Sequence, residues 1–270
     1  MHIKANRGSG GLGNAPSVDA EEMTSLAVAN EFLELTRCAT TNDQLRDALA
    51  TICESMGFEY FALTHHVDPH ATEAQVIRLH NYPKPWVEWF DDHRLGVSDP
   101  VHRASRVTDA GFCWARVPSM IKLTAADREV LAMARREGVG DGFTVPAHIP
   151  GEASGSCSFA VGPGKEVPAH YVPVAQLVGT FAFDTARRVN RIRCVDTEGP
   201  PLTGRQRDCV LWAARGKTNW ETAQILGLSE ETVMQHHKQA RERLDIPNKP
   251  MLVVRALYDG YICFDDVFRP

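Results

Sequence analysis

The sequence predicts an α+β protein: an N-terminal α/β/α sandwich on an antiparallel sheet, then an all-α module of four helices. Three observations carry this. Between Thr41 and Asn190, helix-spaced apolar runs flank several short strand-like runs, a pattern that packs as layers. From Leu202 onward no strand pattern remains. The chain has 270 residues, more than one small domain needs.

Residues 1–18, rich in Gly, Asn, Ser and Pro, read as a flexible arm. Gly8-Ser9-Gly10-Gly11-Leu12-Gly13 matches a G-x-G-x-x-G loop, but no strand precedes it and no helix opens at it. The first residues lack an apolar run, so no secretory signal is expected. Thr41-Asn42-Asp43 offers three N-cap types before Leu45, Ala48, Leu49, Ile52 and Met56, and Gly57 stops that helix. Glu59 to His66 and Gln75 to His80 read as strands. Pro118 to Arg136 contains a helix. Gly142 to Ala147 and Ser154 to Val161 read as strands around an Ile149-Pro150-Gly151-Glu152 turn. Val172 to Asn190 is a long helix, ending in Arg187, Arg188, Arg191 and Arg193, where cations suit a helix C-terminus. Residues 19–194 are expected to form the first domain, 195–201 a linker and 202–270 the second.

Composition narrows the class. The chain is 43% hydrophobic and 23% charged, which excludes disorder as the main state. No stretch reaches the roughly 18 apolar residues of a membrane span, so no membrane partner is expected. Seven cysteines, an odd number without a C-x-x-C pair, fit reduced thiols and a cytoplasmic location. The net charge is −5, yet residues 202–262 carry nine basic side chains against seven acidic. His65 and His66 with His70 are the one metal-like cluster. Val67-Asp68-Pro69 between them reads as a strand end and turn, so no metal is expected. No catalytic constellation stands out, and no enzyme activity or cofactor is expected.

In the second module Thr203 caps a helix that ends at Gly216, and Asn219 caps the next. Gly227-Leu228 turns the chain and Ser229 to Thr232 opens a third helix. Pro247-Asn248 then separates it from a fourth. Two short helices around a Gly turn have helix-turn-helix geometry, the second being the recognition helix. The residues are more specific than the geometry. Leu202-Thr203 with Arg205, Trp212-Ala213-Ala214-Arg215-Gly216-Lys217-Thr218, Ala223 to Val233, and His236, Ala240 and Leu244 strongly resemble the LuxR-type DNA-binding domain. Gln206, Met234 and Gln239 depart from its usual residues. The resemblance implies a DNA-binding homodimer paired through its last helix, with RNA polymerase as a further partner. Lys217 and Thr218 would approach phosphates, Gln235 and Lys238 base edges, and His236 and Arg241 would lie at the DNA.

Upstream, Tyr82, Trp86, Phe90, Asp99-Pro100 and Trp114, with Gly142 and Pro146, resemble the acyl-homoserine-lactone-binding domain of quorum-sensing LuxR-type regulators. An acylated lactone offers one amide N–H, two or three carbonyls and an apolar tail. By that resemblance Trp86 would hold the lactone carbonyl, Asp99 the amide N–H and Tyr82 the amide carbonyl. Trp114 would pack on the lactone ring, and Ser158 could offer a hydroxyl. Phe90 stands where the family pattern has Tyr. The expected function is therefore a quorum-sensing transcription regulator that binds an acyl-homoserine lactone and DNA. Two alternatives stay open. One is an orphan regulator answering to another small molecule or to none. The other is a dimeric anti-activator that sequesters a partner regulator.

Overall fold

The computed structural model describes residues 18–67, 76–149, 152–192 and 202–268, with backbone alone for 18–25. The expected arm up to residue 17, the linker 195–201 and His70 lie outside the described residues. The chain forms two compact units.

In the first unit, helices α1 (Val18–Arg37) and α2 (Asn42–Ser55) precede β1 (Tyr60–His65) and β2 (Arg78–His80). Helices α3 (Lys84–Asp92) and α4 (Pro100–Ser105) follow, then β3 (Phe112–Cys113), α5 (Val117–Met120) and α6 (Ala125–Arg136). Strands β4 (Gly142–Ala147) and β5 (Gly155–Ala160) and helix α7 (Val172–Val189) complete it. The strands form one sheet in the order β2-β1-β5-β4-β3, and every pair is antiparallel.

Side chains alternate across a strand, so the register assigns each residue to a face. Phe61 lies opposite Phe159, which lies opposite Phe143; Leu63 lies opposite Leu79 and Cys157, which lies opposite Val145. All seven are buried, and this apolar face packs under α2 and α7. Gly179 lets α7 approach closely, since a Cβ there would sit 2.8 Å from that of Val145. The other face carries Thr144, Ser158 and Ala62 in one row beside His80, and Ser156 and Thr64 in the next beside Arg78. Helices α3 to α6 cover it through Trp86, Val130, Ala134, Val101 and Val117.

Local signals explain the element ends. Thr41 caps α2, and its box partner is Gln44. Pro83 and Pro85 open α3, and Asp99 caps α4. The strand expected from Gln75 shortens to three residues, and Gln75 itself is not described. The helical stretch from Pro118 divides into α5 and α6, because Thr124 and Asp127 form a new capping box. Arg188 serves the end of α1 instead of its own helix, donating to the carbonyls of Thr36 at 2.8 Å and Ala39 at 2.9 Å.

The second unit is all helical: α8 (Gly204–Ala214), α9 (Asn219–Leu226), α10 (Glu230–Arg243), α11 (Lys249–Tyr258) and a short α12 (Phe264–Phe268). The four expected helices are present, and α12 adds a fifth. Thr203, Thr218, Ser229 and Asn248 cap the first four. The cap of α9 is therefore Thr218 and not Asn219, because the Thr218 hydroxyl accepts from the Glu221 N–H. Gly227 ends α9 at φ +65°, a left-handed turn that glycine adopts without strain. Two small cores hold the unit, one around Val210, Ala240 and Leu252, the other around Cys209, Ala223 and Val233.

One ion pair ties α4 to α6. Arg103 donates from Nη1 to both oxygens of buried Asp127, at 2.7 and 2.8 Å. Burial raises the Asp127 carboxyl, but Thr124 and Arg103 outweigh it and hold the pKa below its ordinary value. Asp127→Asn should therefore cost about 1.5–3 kcal/mol at neutral pH. A carboxyl whose folded pKa is depressed stabilises fully above its unfolded value and loses that contribution as pH falls through the folded one. Urea unfolding of both proteins should show the gap at pH 7 and its closure in acid. An equal gap at both pH values would assign the loss to packing.

Candidate functional site

A cavity of about 100 Å³ lies against the polar face of the sheet. Tyr82, Trp86, Phe90, Asp99, Trp114 and Ser158 all line it, together with apolar Val87, Val101, Val130, Leu131, Ala134 and Val139. Residues separated by up to 76 positions in the chain thus meet at one space.

Asp99 is held from below. Its Oδ1 accepts from the N–H groups of Val101 and His102, each at 2.9 Å, as the N-cap of α4. Its Oδ2 has no hydrogen-bond partner among the described residues. A buried carboxylate fixed by two backbone donors can still accept a third. The Tyr82 hydroxyl also lacks a partner among the described residues, while its ring packs on Tyr60 at 6.0 Å. Burial, then the charge of Asp99, pushes the Tyr82 phenol well up, so it remains a protonated donor. Trp86 is 6% exposed and stacks on Trp89 at 5.6 Å, and its indole N–H is likewise without a partner among the described residues. Phe90 meets the Trp86 ring edge-on at 5.6 Å and the His102 ring at 5.8 Å.

Trp114 differs. Its Nε1 donates to Thr144 Oγ1 at 2.8 Å, and Thr144 Oγ1 lies 2.8 Å from Ser158 Oγ. Thr144 is fully buried, so its hydroxyl proton has Ser158 as its one acceptor among the described residues. That direction leaves the Ser158 O–H to donate into the cavity. Sequence reading missed Thr144. The signal is the register: Thr144 sits directly opposite Ser158, and the strand ends read from sequence do not fix that pairing.

The residues read as DNA contacts lie in the second unit. Gln235 and Lys238 are exposed on α10, three positions apart and so on one side of the helix. Lys238 Nζ lies 3.9 Å from Glu242. Lys217 precedes α9, with Nζ 3.5 Å from Glu221. The Thr218 hydroxyl donates to Glu221 at 2.9 Å, so the acidic side chain already occupies this helix N-terminus. Its two bonds from Thr218 hold the Glu221 carboxyl below the ordinary range. Arg241 donates to the Pro247 carbonyl at 2.9 Å and so braces the turn into α11. His236 is half-buried, with an Nδ1 that finds no hydrogen bond among the described residues, whereas His237 packs inside and its Nε2 lies 3.0 Å from the Cys209 carbonyl. Burial lowers the His237 pKa and keeps that ring neutral. Trp220, 60% exposed beside Lys217 and Thr218, was not singled out from sequence.

No group of three or more His, Cys, Asp or Glu among the described residues is placed to hold a metal. No helix among them is long and apolar enough to cross a membrane.

Comparison with known proteins finds two families along the chain. Residues 41–186 match the autoinducer binding domain family, and residues 200–256 match the bacterial regulatory proteins of the luxR family. The transcriptional activator AhyR of Aeromonas hydrophila is 24% identical over 236 residues, 86% of this chain and 91% of its own. The transcriptional activator LuxR of Aliivibrio fischeri is 27% identical over 233 residues, 83% of this chain and 90% of its own. The crystal structure of SdiA from Escherichia coli shares the fold with a TM-score of 0.58, at 23% identity, covering 88% of this chain and 98% of that one.

The Trp114–Thr144–Ser158 chain can be tested without a ligand. Thr144→Val keeps the shape but leaves the indole N–H of Trp114 without its acceptor. It should cost about 1–3 kcal/mol of stability, and Thr144→Ser should recover most of it. Chemical denaturation of the three proteins decides. A valine variant as stable as the parent would mean that water replaces the hydroxyl.

Proposed function

The chain belongs to the LuxR family of quorum-sensing transcriptional activators, with an autoinducer-binding domain and a LuxR-type helix-turn-helix; from that premise we propose that it binds an acyl-homoserine lactone and, as a homodimer, promoter DNA. One observation carries the ligand assignment. Asp99 Oδ2, the Tyr82 hydroxyl, the Trp86 indole N–H and the Ser158 hydroxyl all border one mostly apolar cavity without engaging each other. One acceptor and three donors complement one amide N–H and the carbonyls of an acylated lactone. Asp99 would take the amide N–H, Tyr82 and Ser158 the amide carbonyl, and Trp86 the lactone carbonyl. Trp114 and Phe90 would supply flat walls.

In this reading residues 19–194 take the signal, 195–201 connect, and 202–270 meet DNA. Gln235 and Lys238 would read base edges, while Lys217 and Thr218 would approach phosphate. Arg241 and His236 would support that surface. The regulator would work in the cytoplasm. A ligand that binds only the folded first domain stabilises it by linkage.

Two predictions follow from these roles. Asp99→Asn can keep the α4 cap, because Asn is as good an N-cap as Asp, so the free protein should lose less than about 1 kcal/mol. The amide would present N–H where the carboxylate oxygen met the ligand N–H. Lactone affinity should drop about 10- to 150-fold, the worth of a charge-assisted hydrogen bond. Calorimetric titration measures both, and an unchanged affinity removes Asp99 from the site.

On DNA, Lys217→Ala should weaken all sequences alike and flatten the salt dependence of binding, whereas Gln235→Ala and Lys238→Ala should relax sequence preference. Band-shift titrations of the liganded protein at several salt concentrations separate these effects. Wild-type behaviour of all three variants would show that α10 is not the reading helix.

A further inference from the structure

The cavity has a second polar wall that the lactone reading does not use. Arg78 and His80 on β2, Thr64 on β1 and Asp91 on α3 all line it. His80 lies opposite Ala62, and Ala62 lies opposite Ser158, so β2 is two strands from the Ser158 hydroxyl. At about 4.8 Å between strands, this wall stands about 10 Å from Ser158. It is where the far end of an acyl group would lie if its carbonyl met Tyr82 and Ser158.

A plain alkyl end needs only hydrocarbon there. Placing it against open donors and acceptors would desolvate them without return. Arg78 uses Nη2 for both oxygens of Asp91, at 2.6 and 2.8 Å, and its Nε and Nη1 have no partner among the described residues. Neither ring nitrogen of His80 has a hydrogen-bond partner among the described residues, and of the two Nδ1 is the buried one. The Thr64 hydroxyl is also without a partner among the described residues. Asp91 cancels the charge of Arg78, so the wall is polar but close to neutral. A carboxylate end would meet the Asp91 charge beside the guanidinium. A hydroxyl would not, and it can accept from Arg78 while donating to His80. Burial lowers the His80 pKa, which keeps a ring nitrogen available as acceptor.

We propose that the ligand of this cavity carries a neutral hydroxyl, alcoholic or phenolic, at the far end of its acyl group, held between Arg78 and His80. This rests on the lactone reading of the same cavity. The test uses the full chain and matched acyl-homoserine lactones ending in methyl, hydroxyl or carboxylate. Both straight-chain and aryl acyl groups are needed to separate an alcohol from a phenol. Calorimetry should show the hydroxyl member of at least one series binding about tenfold or more tighter than its methyl partner. His80→Phe preserves a flat ring on Tyr82 and should cut that preference to about threefold or less. Arg78→Met should act likewise, with thermal unfolding confirming that each variant is folded. Equal or tighter binding of the methyl compounds to the parent protein would overturn the proposal while leaving the lactone reading intact. Tightest binding of the carboxylate compounds would overturn the neutral hydroxyl. If no lactone of any kind binds folded protein, the lactone reading fails and this proposal falls with it.

Discussion

The first unit depends on a sheet whose two faces differ in chemistry. Phe61, Leu63, Leu79, Phe143, Val145, Cys157 and Phe159 make one face apolar apart from His65 at its end, whose ring packs on Phe183 at 5.3 Å, and α7 closes on it at the distance Gly179 permits. With that face sealed, the residues between them must point the other way. Thr64, Thr144, Ser156 and Ser158 give the second face short side chains with hydroxyls, too small to fill the space under α3 to α6 by themselves. The cavity is thus a consequence of side-chain alternation plus small residues on one side. A register slip of one residue would exchange the faces and destroy both the seal and the site.

The covering helices meet the same constraint from above. A carboxylate in the cavity wall is costly unless hydrogen bonds hold it. Asp99 meets this by capping α4, so one interaction both starts the helix and aims the free oxygen. The Arg103–Asp127 pair then fixes α4 against α6, whose Val130 and Ala134 form apolar wall. Much of the cost of orienting these groups is met by folding, before any ligand arrives, which is how preorganisation raises affinity.

Legibility followed the range of the governing interaction. The N-caps within Thr41-Asn42-Asp43 and at Thr203, the stops at Gly57 and Gly216, and the 3.6-residue pattern of α7 act within a few residues, and sequence showed them, although not the capping boxes with Gln44 and Gln206. The six cavity residues were found through the spacing of Tyr82, Trp86, Phe90 and Asp99 and through family resemblance. Thr144 was not, because its role exists only once β4 and β5 pair in register. Arg188 looked like a cap for its own helix, yet its partners are about 150 positions away, Thr36 in the last turn of α1 and Ala39 just after it. Helix α1 itself went unread: its buried Val28, Ala29, Phe32 and Thr36 hold the pattern, but Thr36 is polar and is satisfied by bonding back to the Phe32 and Leu33 carbonyls. Helix α3 also went unread, and the prolines at 83 and 85 sit where a helix start tolerates them.

The two units also differ in what they lack. Caps at Thr203, Thr218, Ser229 and Asn248 satisfy the first turns of α8 to α11, and both small cores of the second unit are complete in themselves. The first unit, in contrast, keeps four polar groups open around a space that its own side chains do not fill. Binding free energy is therefore available where hydrogen bonds and apolar contacts remain to be made. On the proposed reading, a signal molecule bound there would act on DNA binding from the first unit, and the homodimer and the linker would carry that influence to the second.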